Sequence, residues 1–379
     1  MNVPKLRFKE FNNKYNITKV SKIIDVIDGD RGNNYPKAND FYDSEFCLFL
    51  NAGNVTKNGF NFKNNQFITK EKDKKLRKGK LLINDIVLTT RGTVGNVAWF
   101  NEKIPYKNIR INSGMVINRI KEDGYLLPEY LYSYMKSPIF ENQVNKMNYG
   151  SAQPQLTVSG INKFNIQYPT INEQKKVSTI MLLLDKKIEL QSKKIEDLKL
   201  FKLCINNDLF NGYKTIKLKD ICECKSSPIN LSDIDDDNGN GIYPIYGANG
   251  EIKKISSYQN EKDYLAIVKD GAGVGRTIIC NKKSSIIATL SALIPNDIPV
   301  YYFNELISKI NFSKYIVGSG IPHIYFKDYS NEKLCLHEEE ERVLINNLFK
   351  ILIIKIELEI KELNKLQELK KGLMQQMFV

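Results

Sequence analysis

The chain has 379 residues, a formal net charge of +13 and a pI near 9.2. That length holds roughly two or three domains, and 42% hydrophobic with 26% charged residues is a composition that buries cores rather than one that stays disordered. The charge favours a polyanionic partner such as nucleic acid, although a chain rich throughout in Lys and Asn reaches the same balance without one. Six scattered cysteines without a CxxC pair, and only two histidines, exclude zinc-site spacing and fit a reducing cytoplasm. The opening MNVPKLRFKEFNNKYN lacks the apolar core of a signal peptide. The apolar run Ile351-Leu352-Ile353-Ile354 lies between Lys350 and Lys355, too short to span a bilayer, so no membrane association is expected.

In chain order, residues 1–18 read as a polar lead-in. Residues 17–28 start a globular unit as a strand or short helix. Residues 29–64, rich in Asn, Gly, Asp and aromatics, read as loops between short strands. Residues 66–80 are densely charged around Leu76, as in a solvated helix or turn. Residues 86–90 are β-rich, 91–95 form a Gly-bounded turn, and 96–100 return as a strand. Residues 111–120 are another apolar strand. Residues 126–136, with Pro128 near the start and apolar spacings of three and four, are a helix. The second half repeats this plan. Residues 216–221 match 17–23 in pattern, 264–280 form strand, Gly-rich turn and return strand, 285–295 match the apolar strand, and 298–310 match the helix.

A longer repeat frames both halves. Residues 150–210 recur as 318–378 at a constant, gap-free offset of 168 residues. Each copy opens on a small turn motif, Gly150-Ser151-Ala152-Gln153-Pro154-Gln155-Leu156 and Gly318-Ser319-Gly320-Ile321-Pro322-His323-Ile324. Ile188-Glu189-Leu190 recurs as Ile356-Glu357-Leu358, and the copies close on Leu209-Phe210 and Met377-Phe378. Such a repeat marks a duplicated structural unit.

With Val177 as heptad position a, the a and d positions of the first copy are Val177, Met181, Leu184, Ile188, Gln191, Ile195, Leu198, Lys202, Ile205 and Leu209. The second copy gives Ile345, Phe349, Leu352, Ile356, Glu359, Leu363, Leu366, Lys370, Leu373 and Met377. Only Gln191/Glu359 and Lys202/Lys370 break the apolar seam, at the same heptads in both copies. A seam of about five heptads predicts a coiled coil. Each helix is roughly 57 Å long and needs a partner.

The expected fold is therefore α/β (α+β), with two globular domains separated by two long helices that pair as an antiparallel, pseudo-twofold symmetric coiled coil. The domains cover 1–168 and 213–336, and the spacer helices 169–212 and 337–379. One possible register sets Lys202 beside Glu359 and Gln191 beside Lys370. Compared with full overlap it staggers the helices by about eleven residues, roughly three turns.

Catalytic chemistry is sparse. Gly271-Ala272-Gly273-Val274-Gly275-Arg276 follows a strand, but a strand rather than a helix comes next, so a tight β turn is expected rather than a dinucleotide cradle. No GxxxxGK[ST] loop, no Asn-Pro-Pro-aromatic motif and no nuclease constellation is found. His323 replaces Gln155 of the first copy, which suits a hydrogen-bonding role better than a general base. His337 replaces Pro169 and is expected to be exposed. Neither catalytic nor metal-ligating residues are assigned, and the chain reads as a non-enzymatic reader.

The candidate DNA contacts cluster around the two Gly-bounded turns. They are Arg91, Thr93, Asn96, Lys107, Arg110, Asn112 and Ser113 in the first half. In the second they are Tyr246, Asn249, Lys253, Lys254, Lys269, Arg276, Thr289 and Ser291. Arg and Asn read guanine and adenine edges bidentately, while Lys and Ser/Thr mostly hold phosphates.

The two turn motifs, the helix start Tyr168-Pro169-Thr170-Ile171-Asn172-Glu173-Gln174 and the helix ends at Phe210 and Phe378 together resemble the specificity subunit of Type I restriction–modification systems. So do the loops Arg91-Gly92-Thr93-Val94-Gly95-Asn96 and Tyr243-Pro244-Ile245-Tyr246-Gly247-Ala248-Asn249-Gly250. The resemblance covers nearly the whole chain. It departs at His337-Glu338-Glu339-Glu340-Glu341-Arg342, where the family favours a Pro and Glu-Gln.

The resemblance implies a cytoplasmic subunit that binds double-stranded DNA. Each domain would read one half of a split target, and the coiled coil would set the unread gap. Two methyltransferase subunits and restriction subunits would dock on it. S-adenosylmethionine, ATP and Mg2+ would belong to those partners, with no cofactor in this chain. Three other readings stay open at this point. They are a specificity module for a fused methyltransferase–nuclease, a coiled-coil scaffold whose globules bind proteins, and a stand-alone nuclease.

Overall fold

The computed structural model describes residues 3–121, 124–148, 155–212, 214–235 and 241–378. Residues 150–154 of the first turn motif lie outside them. The chain divides into two compact units, residues 1–190 with 363–379, and residues 191–362.

The first unit contains β1 (Asn16–Lys19), β2 (Ile24–Asp28), β3 (Ile86–Thr89), β4 (Val97–Trp99), β5 (Met115–Ile120), helix α1 (Pro128–Met135), β6 (Asn165–Tyr168) and the first half of helix α2 (Ile171–Leu209). Its main sheet is antiparallel in the order β2-β5-β3-β4, and β1 pairs with β6. The β-branched runs of β3 and β5 form strands because both sheet faces are covered, which is why they read as continuous rather than alternating. Ile86, Leu88 and Val116 pack with Tyr130 and Leu131 of α1, while Val87, Ala98 and Ile117 pack with Leu48, Leu50 and Ile109. Those last residues come from a small sheet in which Cys47–Leu50 runs parallel to Ile109–Ile111.

The second unit repeats the order with β7 (Lys214–Lys217), β8 (Cys222–Ser226), β9 (Tyr264–Val268), β10 (Thr277–Cys280), β11 (Leu290–Pro295), helix α3 (Val300–Ile307), β12 (Lys333–Leu336) and the first part of helix α4 (Glu339–Met377). Its sheet has the matching order β8-β11-β9-β10, and β7 pairs with β12. Here too a small sheet covers one face, with Tyr243–Gly247 parallel to Ser285–Ile286.

Every a and d residue of α2 and α4 is buried or half-buried, so the heptad seam is a packing seam. The pairing is antiparallel within each unit. In the first, Val177 and Met181 join Leu373, Met374 and Met377 in one core, and Asp185 forms an ion pair with Lys370. In the second, the Gln191 amide donates to the Glu359 carboxylate at 2.6 Å and to its backbone carbonyl at 3.0 Å, while the Lys202 ammonium lies 5.7 Å from the Phe349 ring centroid.

This near-full overlap replaces the staggered register. Lys202 does not meet Glu359 but pairs with Glu305 of α3 at 2.5 Å, and Glu359 is held by Gln191 and by Lys194 at 2.6 Å. Full overlap keeps apolar a and d residues opposite one another, and each polar break is neutralised by a partner in its own unit.

Three other expectations change. The lead-in is anchored. Arg7 forms a bidentate ion pair with Glu173, at 2.7 Å to each oxygen, Tyr15 donates to the same carboxylate at 3.1 Å, and the Leu6 amide bonds the Gln376 carbonyl. His337 is buried, not exposed. Its backbone amide donates to Tyr302 Oη at 3.0 Å, its Nδ1 lies 2.9 Å from the same atom, and its ring packs edge-on against Phe210. The charged stretch 66–80 contains helix Lys70–Lys75, but its Asp73 is buried against Arg110 and Lys80 rather than solvated.

Candidate nucleic-acid interface

In the first unit, the turn between β3 and β4 is closed by its own backbone. The Gly95 amide donates to Thr89 carbonyl at 3.0 Å, and the Asn96 amide to Thr89 Oγ1 at 2.9 Å. Gly95 needs its glycine, because its φ of 95° lies in the left-handed region. The corresponding turn of the second unit has the same closure, with Gly275 donating to Val268 carbonyl at 2.9 Å and a φ of 85°. Thr277–Cys280 returns antiparallel to β9, so the Gly-rich run is a hairpin turn and not a phosphate loop.

The segment after each domain's helical region zips onto its turn. Leu156 donates to Thr90 carbonyl in one unit and Ile324 to Lys269 carbonyl in the other, both at 3.0 Å. These bonds make Arg91 the counterpart of Asp270, and Gln155 that of His323. Each pair is in contact. With the Gln155 amide turned so that its oxygen faces the guanidinium, that oxygen accepts from Arg91 Nη2 at 2.9 Å and Nε at 3.2 Å, and His323 Nδ1 meets Asp270 Oδ1. Arg31 joins the first site by donating to Ser113 carbonyl at 3.2 Å and pairing with Asp28 at 3.0 Å. The sequence did not place Arg31, Gln155 and His323 at the turns, because only tertiary pairing brings them there, whereas Asp270 lies in the turn itself.

The fifteen candidate contacts sort by exposure. Arg91, Thr93 and Lys107 of the first unit are exposed, as are Asn249, Lys254, Arg276 and Thr289 of the second. Arg276 Nη2 donates to Asn249 Oδ1 at 3.4 Å, linking two hairpin tips. Asn112, Ser113, Lys253 and Lys269 are half-buried. Asn112 Oδ1 accepts from the Gly114 amide at 2.9 Å, and Lys253 donates to Ile234 carbonyl at 2.9 Å.

Four are structural. Arg110, 6% exposed, pairs with Asp73 at 2.5 Å and donates to the carbonyls of Lys78, Asp73 and Leu76. Burial would push the Asp73 carboxyl up, but hydrogen bonds from Lys80 and Arg110 hold it below the usual range. The Asn96 amide nitrogen donates to Val55 carbonyl at 3.0 Å. Tyr246 and Ser291 are buried in the sheets, and burial also raises the Tyr246 phenol above its ordinary value.

Among the described residues, no group of three or more His, Cys, Asp or Glu could hold a metal ion, and no helix is long and apolar enough to cross a membrane.

Comparison with known proteins places this arrangement. Residues 16–200 and 211–368 each match the family described as Type I restriction modification DNA specificity domain. The Type I restriction enzyme MjaIX specificity subunit of Methanocaldococcus jannaschii is 30% identical over 132 residues, which is 35% of this chain and 29% of that protein. The crystal structure of a Type-I restriction-modification system S subunit from M. genitalium superposes with a TM-score of 0.72 at 17% identity, over 100% of this chain and 99% of that one. A structure described as the structural basis underlying complex assembly and conformational transition of the type I R-M system gives a TM-score of 0.50 at 16% identity, over 95% and 96% of the two chains. At these identities the structural matches speak for the fold, while the two matched domains, covering most of the chain, speak for the family. The chain belongs to the Type I restriction-modification DNA specificity family, as a specificity subunit with two target-recognition domains.

Proposed function

We propose that this subunit reads a bipartite DNA target, one domain per half-site, with the paired helices setting the gap between them. The observation that carries this reading is the duplicated turn. Both domains present a Gly-bounded hairpin with an exposed arginine beside it, Arg91 in one and Arg276 in the other, flanked by exposed Thr93 and Thr289. Arginine supplies the donor fork for base edges and lysine the sequence-independent phosphate term, here Lys107, Lys254 and Lys269. Arg110, Asn96, Tyr246 and Ser291 act in this reading as supports for the turns.

The helices also offer docking surface. Leu344, Ile351 and Leu358 of α4 recur at heptad spacing and are exposed, at 70%, 66% and 59%. An exposed apolar row at coiled-coil spacing fits partner helices. The partners in this reading are two methyltransferase subunits and, in the larger assembly, restriction subunits. They bring S-adenosylmethionine, ATP and Mg2+ and carry the chemistry, in the cytoplasm where the DNA is.

The test is a methylome of cells carrying this gene with its partner genes, against the deletion. A bipartite adenine-methylated motif should vanish with the gene and return with it. An unchanged methylome in the deletion would refute the reading. DNA binding that persists unchanged as salt rises would argue against the phosphate contacts.

A further inference from the structure

Arg91–Gln155 and Asp270–His323 occupy the same place in two domains of the same topology, yet their chemistry is opposite. In the first pair the Gln155 oxygen takes two of the five guanidinium N–H donors of Arg91, one on Nε and one on Nη2. The three left are two on Nη1 and one on Nη2. They form the end-on fork that matches O6 and N7 of guanine. Gln155 thus fixes the plane of an exposed arginine that would otherwise sweep many rotamers.

In the second pair a carboxylate oxygen is the acceptor, with His323 Nδ1 donating to Asp270 Oδ1. The ring is also held edge-on against Tyr325, with centroids 4.1 Å apart. Asp270 Oδ2 is left as an acceptor at the turn. A carboxylate facing DNA is repelled by phosphates. It is useful there only against a base edge that donates, namely the exocyclic amino group of cytosine or adenine.

We infer that these two pairs are specificity determinants of the two domains, Arg91 reading guanine in one half-site and Asp270 an exocyclic amino group in the other. The inference rests on the bipartite reading proposed above. Gln155 and His323 are positioning residues in it, and Lys269 and Arg276 offset the repulsion around Asp270.

The experiment uses the full chain assembled with its methyltransferase subunits and a DNA library randomised in both half-sites, sequencing the bound fraction. A wild-type complex that enriches no bipartite sequence would defeat the underlying reading, separately from this one. Given enrichment, Arg91→Ala should reduce discrimination by roughly tenfold or more at one guanine position in one half-site, leaving the other half-site as it was. Asp270→Asn should do the same at one cytosine or adenine position in the opposite half-site.

Arg91→Lys keeps the charge but lacks the fork, and should lose the same guanine preference as Arg91→Ala. The unfolding midpoint of each variant, expected to match the wild type, separates misfolding from altered reading. Two results overturn the inference: base preferences unchanged in the folded variants, or an even loss at all positions, the pattern of a phosphate contact.

Discussion

Arg91, in the turn after β3, and Arg110, in the strand Ile109–Ile111, looked alike in sequence, but their surroundings give them opposite tasks. Arg91 is exposed at a turn, whereas Arg110 is spent on Asp73 and three backbone carbonyls. Removing one partner of a buried ion pair strands the other charge. Arg110→Ala is therefore expected to destabilise the first unit by about 3–5 kcal/mol in urea unfolding, and Lys107→Ala to stay within about 0.5 kcal/mol. Asp73 also sets a pH dependence. Its folded-state pKa is depressed, so its stabilisation is present above the ordinary aspartate value of about 3.9 and is lost as pH falls through the folded value. In Asp73→Asn the urea midpoint should start lower and fall less steeply between pH 5 and pH 3. A slope equal to the wild type's would show that Asp73 is not the titrating group.

At the scale of elements, the long helices solve one sequence problem in two ways. The Lys202 and Lys370 breaks are equivalent by repeat. Lys202 reaches out to Glu305 on α3, and Lys370 pairs with Asp185 on α2, which Lys136 of the adjoining loop also contacts at 3.1 Å. Glu305 is 1% exposed and is further held by Asn206 at 3.1 Å. Lys202→Ala should thus cost about 3–5 kcal/mol by leaving that carboxylate without its cation. Leu352→Ala, at a buried seam position, should cost about 2–5 kcal/mol. On the docking surface proposed for α4, Ile351→Ser next to it should leave the unfolding midpoint unchanged while weakening co-purification of the proposed methyltransferase partner.

The seam itself was legible in the sequence, because heptad spacing is a local property that any correct pairing must satisfy. The strand–turn–strand hairpins were legible for the same reason, from β-rich runs bounded by glycine. The burial of His337, the Arg7–Glu173 clamp and the Arg91–Gln155 and Asp270–His323 contacts were not. Their partners lie 35 to 166 residues apart, from Tyr302–His337 to Arg7–Glu173, and no local pattern encodes which distant side chain closes a turn. The register failed for a related reason: matching Lys202 to Glu359 by charge ignored the acid that α3 supplies from outside the helices.

At the scale of the molecule, the repeat joins two domains of the same strand order to two helices of 39 residues each. If the helix pair is the element that sets the gap, its length and the half-sites are independent variables. One heptad added to α2 alone would slide the seam out of register and strand Gln191 from Glu359, so the insertion must be made in both helices, on matching sides of that pair. Seven residues lengthen each helix by roughly 10.5 Å, close to three base pairs at 3.4 Å per step. The methylome of cells carrying the double insertion should show both half-sites unchanged with about three more unread base pairs between them. The added heptad also turns one domain relative to the DNA helix, by about three-tenths of a turn at 10–10.5 base pairs per turn. Coiled-coil supercoiling does not track that rotation, so methylation is expected to slow even where the motif is read. A gap that stays at its wild-type length, with both half-sites still methylated, would show that something other than the helices measures the distance.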